Sequence, residues 1–152
     1  MNVEDAKNLA IKAHQGQFRR DGVTPFVEHP IVVADMMDTP YRKMLAYLHD
    51  VIEDTYYELT TCMVTKKCYI ILPDVKQYEI SEDLYIDLEL LTKDPNLTYE
   101  QNIRRIKDSG RADPIAVKIG DNCHNLSTGT EKQQAKYLNI SLPVLLEDNT
   151  WT

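Results

Sequence analysis

Tyr47-Leu48-His49-Asp50-Val51-Ile52-Glu53-Asp54-Thr55 is the stretch on which the reading of this chain turns. A histidine beside an aspartate offers one nitrogen and one oxygen donor from a single helical turn. That mix suits a borderline divalent metal such as Mn, Fe, Co or Zn. Glu53 follows Asp50 by three residues and His49 by four, so on a continuous helix it lies over the same patch. Met44, Leu45, Leu48 and Ile52 give an apolar face to a helix expected from about Tyr41 to Glu53. Carboxylates at a helix C-terminus oppose its dipole. The misfit of Glu53 and Asp54 at that end favours a functional reason for the pair.

A metal needs further donors, and both flanks supply candidates. Upstream, His29-Pro30 opens the apolar run Ile31-Val32-Val33-Ala34-Asp35-Met36-Met37. Downstream, Lys118 to Thr128 is predicted helical, with Asp113 as N-cap and Pro114 at the first helical position. At about 100° per residue, Lys118, Asp121, Asn125 and Thr128 fall within about 80° of one another. This stripe carries a cation, a carboxylate, an amide and a hydroxyl. Ile115, Ile119, Cys123 and Leu126 form a separate apolar stripe, expected to enter the core.

Four motifs, in order, resemble a known family. They are Ala13-His14-Gln15-Gly16-Gln17-Phe18-Arg19-Arg20, Gly22-Val23-Thr24-Pro25-Phe26-Val27-Glu28-His29-Pro30, the His49 to Thr55 block, and Lys118 to Asn125. A weaker fifth match joins Leu91-Thr92-Lys93 to Gln101-Asn102-Ile103-Arg104-Arg105-Ile106. The family is that of the HD-domain metal-dependent phosphohydrolases, most closely the hydrolase domain of RelA/SpoT-type alarmone enzymes and their small single-domain relatives. The resemblance spans roughly residues 3–130. It implies His29, His49, Asp50 and Asp121 as metal ligands. It implies Glu53 and Asp54 as the pair that positions or activates the attacking water. It assigns Arg19 and Arg20 to the nucleotide, and Asn125 and Thr128 to the ribose and phosphates. Lys118 is expected to offset phosphate charge. The chain departs from the family pattern at Asn122, usually Arg, at Gly120, usually Ala, and at Phe26, usually Tyr. Residues 56–80 look unlike the family. These departures bear on the substrate more than on the chemistry.

Composition bounds the rest. The 152 residues suffice for one domain, expected over 1–152, with a formal charge of −7. Such a charge argues against general nucleic-acid binding. It leaves room for a small anionic substrate, because a metal and a few local cations reverse the sign inside a cleft. Cys62, Cys68 and Cys123 show no CxxC spacing and read as reduced thiols. No apolar h-region opens the chain, and no apolar run approaches the roughly 18 residues of a membrane span. A cytoplasmic protein without membrane attachment is expected.

The remaining elements follow from caps and turns. Asn2 caps a helix through about Gln15, a loop with turn signals Asp21-Gly22 and Thr24-Pro25 follows, and a second helix runs from about Pro30 to Asp38. Met63 to Leu72 and Val75 to Ile80 flank Pro73-Asp74 and predict a β-hairpin at about 62–80. A free ribbon could not bury Ile70, Ile71 and Ile80, so it is expected to pack on the helices or on a second copy. Ser81, Thr98 with Gln101, and Thr130 cap three later helices. The fold class is an all-α HD-type bundle with one hairpin. His14 is expected to hydrogen-bond the following loop. His124 faces away from the Lys118–Thr128 stripe and reads as structural or as a neighbour of a ligand. Arg104, Arg105 and Lys107 read as a solvated helix face.

The reading is a Mn²⁺-dependent nucleotide phosphohydrolase that removes the 3′-pyrophosphate from (p)ppGpp-type alarmones. The alternatives are the same chemistry on a nucleoside monophosphate, a phosphorylated cofactor or another nucleotide signal, and a protein that binds a nucleotide without turning it over.

Overall fold

Asn2 starts the first helix through a capping box in which its side chain accepts from the Asp5 amide and the Asp5 carboxylate accepts from its own. The computed structural model describes residues 1–72 and 77–147. Helix α1 (Val3–Ala13) buries Ala6, Leu9 and Ala10, and α2 (Glu28–Asp35) buries Pro30, Val33 and Ala34. Helix α3 (Pro40–Leu48) begins at Thr39, whose hydroxyl accepts from the Arg42 amide, and packs against both. Leu45, Ala46 and Leu48 of α3 are fully buried at the centre of the core.

The helix expected to run unbroken to Glu53 does not. It stops at Leu48, and a separate single turn, α4 (Val51–Asp54), follows. The reason is local. The His49 Nδ1–H donates to the Ala46 carbonyl three residues back, and Asp50 sits at φ −100°, ψ −5°. That backbone falls in the sparsely populated bridge region rather than on the helix.

After α4 come three short strands, β1 (Glu58–Thr61), β2 (Cys68–Ile71) and β3 (Gln77–Ile80). They form one antiparallel sheet in that order, with Glu58 opposite Ile71 and Cys68 opposite Ile80. The fold is therefore mostly helical with a three-stranded sheet, not a bundle with one hairpin. Strands β2 and β3 are the expected pair, shortened, and β1 is an addition. Met63 to Lys67 do not extend the strand. The Cys62 amide donates to the Lys67 carbonyl, and Lys66 takes a positive φ of 58° to close the β1–β2 connection. The predicted turn Pro73-Asp74 and the start of its second strand lie outside the described residues. Cys68, Ile70 and Ile80 join the same core as Leu84 and Leu88 of α5 (Glu82–Leu91), so the sheet packs on the helical body.

Helix α6 (Tyr99–Asp108) carries the expected Thr98–Gln101 capping box. Helix α7 (Ala112–Thr128) starts one residue before the predicted cap. Asp113 does not cap it, because its carboxylate accepts from Arg42 Nε at 2.8 Å. The buried face of α7 is Pro114, Val117, Gly120, Asp121 and Asn122, while Cys123 is exposed. The predicted apolar stripe is thus rotated, since a polar cluster, not Cys123, faces inward. A Cβ on Gly120 would lie 2.9 Å from Met37 Cε and 3.3 Å from Val33 Cγ1. The missing side chain lets α7 approach α2 closely and sets Asp121 beside His29. The chain then forms α8 (Glu131–Lys136), a π-helical turn (Tyr137–Ser141) and α9 (Leu142–Leu145). No helix of the described residues is long and apolar enough to cross a membrane.

Candidate metal centre and nucleotide cleft

Helix α2, the α3–α4 junction and α7 converge on one point. His29, His49, Asp50 and Asp121 each offer a donor atom, and these atoms lie within 4.8 Å of one another. His29 Nε2 is 2.7 Å from Asp121 Oδ1 and 3.6 Å from Asp50 Oδ2. His49 Nε2 is 3.0 Å from Asp50 Oδ2 and 3.4 Å from Asp121 Oδ1. Both histidines and Asp121 are buried.

The outer hydrogen bonds fix what these atoms are. The Ala46 carbonyl accepts only, so His49 carries its proton on Nδ1. A neutral His49 then turns the Nε2 lone pair toward two carboxylate oxygens. Only a positive charge between them relieves that arrangement, and a ring N–H given to a backbone carbonyl is the usual support of a metal-binding histidine. Burial disfavours a charged His49, yet Asp50 and Asp121 outweigh it and hold its pKa well above the ordinary value. Two imidazole nitrogens with two carboxylates fit a borderline divalent cation.

Asp121 is held on several sides. Its Oδ2 accepts from Lys118 Nζ at 2.9 Å and its Oδ1 from the Asn125 amide at 3.1 Å. Burial would raise its pKa, but Lys118, His29 and His49 keep it well below the carboxylate range. The same pairing raises Lys118 against the effect of its own burial. His29 also meets His124, Nδ1 to Nδ1 at 2.6 Å, with the rings stacked 4.9 Å apart. His124 therefore touches a candidate ligand.

Beside this cluster, Asp50, Glu53 and Asp54 bring their oxygens within 4.8 Å of one another. Glu53 accepts from the Lys93 amide at 3.3 Å. Burial and the Asp50 charge raise the Glu53 pKa. Burial, Asp50 and Glu53 push Asp54 up to about 6. A carboxyl group that titrates near neutrality suits proton transfer.

A cleft of about 480 Å³ opens over both groups. Arg19, Arg20, Lys118, Asn125 and Thr128 all line it, with His29, Asp50, Glu53, Asp54 and Asp121. His49 is buried beside them and is not among the lining residues. Arg19 bridges the 16–27 loop to α7, donating to Thr128 Oγ1 at 2.7 Å and Asn125 Oδ1 at 3.3 Å. Lys93 and Lys136 also line the cleft and carry no role in the sequence reading. Lys93 stands in the weak fifth match, a signal that was available. Lys136 lies outside every motif, and its Nζ sits 4.3 Å from the Tyr99 ring centroid. Asn122 is fully buried and is not among the lining residues, so that departure from the family pattern does not face the substrate space.

Comparison with known proteins gives partial matches in sequence and one in fold. No protein-family model matches the chain. A stretch of 53 residues is 45% identical to a guanosine-3′,5′-bis(diphosphate) 3′-pyrophosphohydrolase of Haemophilus influenzae, covering 32% of this chain and 8% of that protein. A GTP pyrophosphokinase of Streptomyces coelicolor is 26% identical over 149 residues, 88% of this chain and 16% of its own length. A putative chloroplastic GTP diphosphokinase of Oryza sativa subsp. japonica is 27% identical over 151 residues, 94% and 17% respectively. The chain thus spans less than a fifth of these relatives. A solved structure of a metazoan ortholog of SpoT that hydrolyzes ppGpp shares the fold, with a TM-score of 0.63 at 21% identity over 93% of this chain and 82% of that one. In its sequence matches and in its fold, the chain resembles the RelA/SpoT-type HD-domain hydrolases.

Proposed function

We propose that the chain is a metal-dependent nucleotide phosphohydrolase that removes the 3′-pyrophosphate from (p)ppGpp-type alarmones. One observation carries the reading. Three members of a two-histidine, two-aspartate cluster, a carboxylate pair beside it and five cations line a single cleft, and the fourth member, His49, is buried next to them. In a chain of net charge −7, the cations Arg19, Arg20, Lys93, Lys118 and Lys136 gather where an anionic substrate would sit.

His29, His49, Asp50 and Asp121 would hold the metal, with Mn²⁺ the proposed ion. When bound, such an ion polarises a phosphoryl oxygen and lowers the pKa of water. Glu53 orients the attacking water, and Asp54 takes its proton, as its raised pKa allows. Arg19 and Arg20 neutralise charge that develops on the phosphates. Lys118 is committed to Asp121, so it steadies that ligand and adds positive field to the cleft floor. Asn125 and Thr128, already bonded to Arg19, fix the sugar end relative to the reacting phosphorus.

The test is a panel of nucleotides incubated with Mn²⁺, Zn²⁺ or Mg²⁺, with phosphate and pyrophosphate measured separately. Pyrophosphate from 3′-diphosphorylated guanosine nucleotides supports the proposal. Phosphate from another nucleotide moves the substrate assignment while keeping the chemistry. Binding without any product makes the protein a nucleotide binder and removes the hydrolase assignment.

A further inference from the structure

Gln17 ties the end of α4 to α1 although it is neither a candidate ligand nor a lining residue of the cleft. Its Nε2 donates to the Asp54 main-chain carbonyl at 2.8 Å. Its Oε1 lies 2.8 Å from His14 Nδ1. Because the Asp54 carbonyl can only accept, the amide orientation is fixed. His14 must then donate from Nδ1. The His14 ring is 2% exposed and packs on Phe26 at 4.7 Å between ring centroids, so its aim is set by burial. Among the described residues His14 Nε2 is buried with no hydrogen-bond partner, and Gln17 is the side chain that this imidazole bonds.

The tie falls on a short element that carries two candidate catalytic groups. A helix of one turn has little stability of its own, and its last carbonyls have no partner within it. Helix α4 has four residues, and its C-terminal carbonyl is the one Gln17 occupies. This turn carries Glu53 and Asp54, whose oxygens crowd that of Asp50. Like charges at that spacing push the turn away from the metal-ligand cluster. The Gln17 amide, bonded to the Asp54 carbonyl, opposes that movement.

We propose that Gln17, aimed by His14, is a positioning residue that holds the end of α4 and so sets where Glu53 and Asp54 stand relative to His49, Asp50 and Asp121. The catalytic half of this statement rests on the hydrolase reading; the mechanical half does not.

Gln17→Leu removes both hydrogen bonds. Gln17→Glu keeps the bond from His14 but sets an oxygen against the Asp54 carbonyl. Both variants should bind Mn²⁺ like the parent by calorimetry and keep KM within about threefold. Their kcat should fall by about 10- to 100-fold, the scale of a small misplacement at a reacting centre. Amide hydrogen exchange at 53–57 should quicken in both. His14→Asn, which keeps an N–H donor near the place of Nδ1, should stay close to the parent, whereas His14→Phe should move toward Gln17→Leu. Gln17 is only half-buried, so its variants carry the test if a His14 variant fails to fold. Parent-like kcat and exchange in both Gln17 variants would overturn the proposal, as would loss of Mn²⁺ in step with kcat. A parent that releases no phosphate or pyrophosphate from any nucleotide removes the hydrolase reading alone. The exchange rates at 53–57 then still decide whether Gln17 holds α4.

Discussion

The Arg19 guanidinium donates to the Thr128 hydroxyl at 2.7 Å across the mouth of the cleft. The bond joins a loop to the last turn of α7, and both ends line the space for the substrate. Both Arg19 bonds, to Thr128 and Asn125, leave from Nη2, one arm of a planar fork whose other donors can serve a phosphate. Arg19→Ala should raise KM by about tenfold, the scale of a charge-assisted contact, and lower kcat less. Arg19→Lys should recover little, since one ammonium cannot reproduce the fork. Steady-state kinetics on the best nucleotide decides this, and an unchanged KM in Arg19→Ala removes Arg19 from binding.

Asp50 stands between the two carboxylate groupings and belongs to both. Asp50→Ala takes an anionic donor from a mixed nitrogen and oxygen site. Bound Mn²⁺ and activity should both fall to background while the circular dichroism spectrum is kept. Full turnover by metal-free Asp50→Ala protein would end the metal assignment.

Glu53 faces the cleft beside the ligand cluster and outside the four-residue set. Glu53→Gln should therefore retain Mn²⁺ and nucleotide, with turnover down by about 10²- to 10⁴-fold. Metal analysis of the purified variant separates this outcome from one in which Glu53 is itself a ligand, where metal and rate would disappear together.

Asp54 gives a stability prediction for the metal-free protein. Its folded pKa is about 6 against an ordinary 3.8. The folded state then binds its proton more tightly than the unfolded state, so stability falls as pH rises from about 4 to about 6. Above that window the ionised group opposes folding in full. Asp54→Asn removes the opposition. Because the side chain is partly exposed, screening reduces the effect to about 1 kcal/mol or less, a gain in Tm of about 2–4 °C. Thermal melts in chelator at pH 8 should show the gain, and melts at pH 4 should not. A gain of equal size at both pH values would mean that charge is not its source.

The sheet is a stability element on its inner face and bare on its loop. Ile70 is fully buried, whereas Val64 is 90% exposed. Ile70→Ala should cost about 2–5 kcal/mol. Val64→Ser should stay within about 0.5 kcal/mol of the parent. Urea unfolding of the two variants checks both values, and equal midpoints would contradict the packing of β2 on α5.

Helix starts were legible because their signal is short-range. Asn2, Ser81, Thr98 with Gln101, and Thr130 all accept from the amide three residues on, as their sequence context suggests. Asp113 had the same appearance, but Arg42, distant in sequence, takes its carboxylate. The break after Leu48 was hidden for a related reason. Helical periodicity continues through Ile52, and the side-chain bond from His49 to Ala46 leaves no mark in the pattern of apolar residues. Glu58 to Thr61 is too short and too polar to read as a strand, and it becomes one by pairing with β2. The candidate site residues were visible because their motifs are contiguous in sequence. The five-cation lining was only partly visible, because Lys136, at the end of α8, is brought to the cleft by helix packing, which no local pattern encodes.

The contact between His29 Nδ1 and His124 Nδ1 admits one hydrogen, not two and not none. Burial, His29 and Arg19 all lower the His124 pKa, which favours the neutral ring. Were a cation to take His29 Nε2, the shared hydrogen would belong to His29, and a neutral His124 would carry its own on Nε2. Metal occupancy would thereby be transcribed into the tautomer of a side chain outside the candidate ligand set. The ¹⁵N resonances of His124 would then be an internal gauge of loading, readable without spectroscopy of the metal itself.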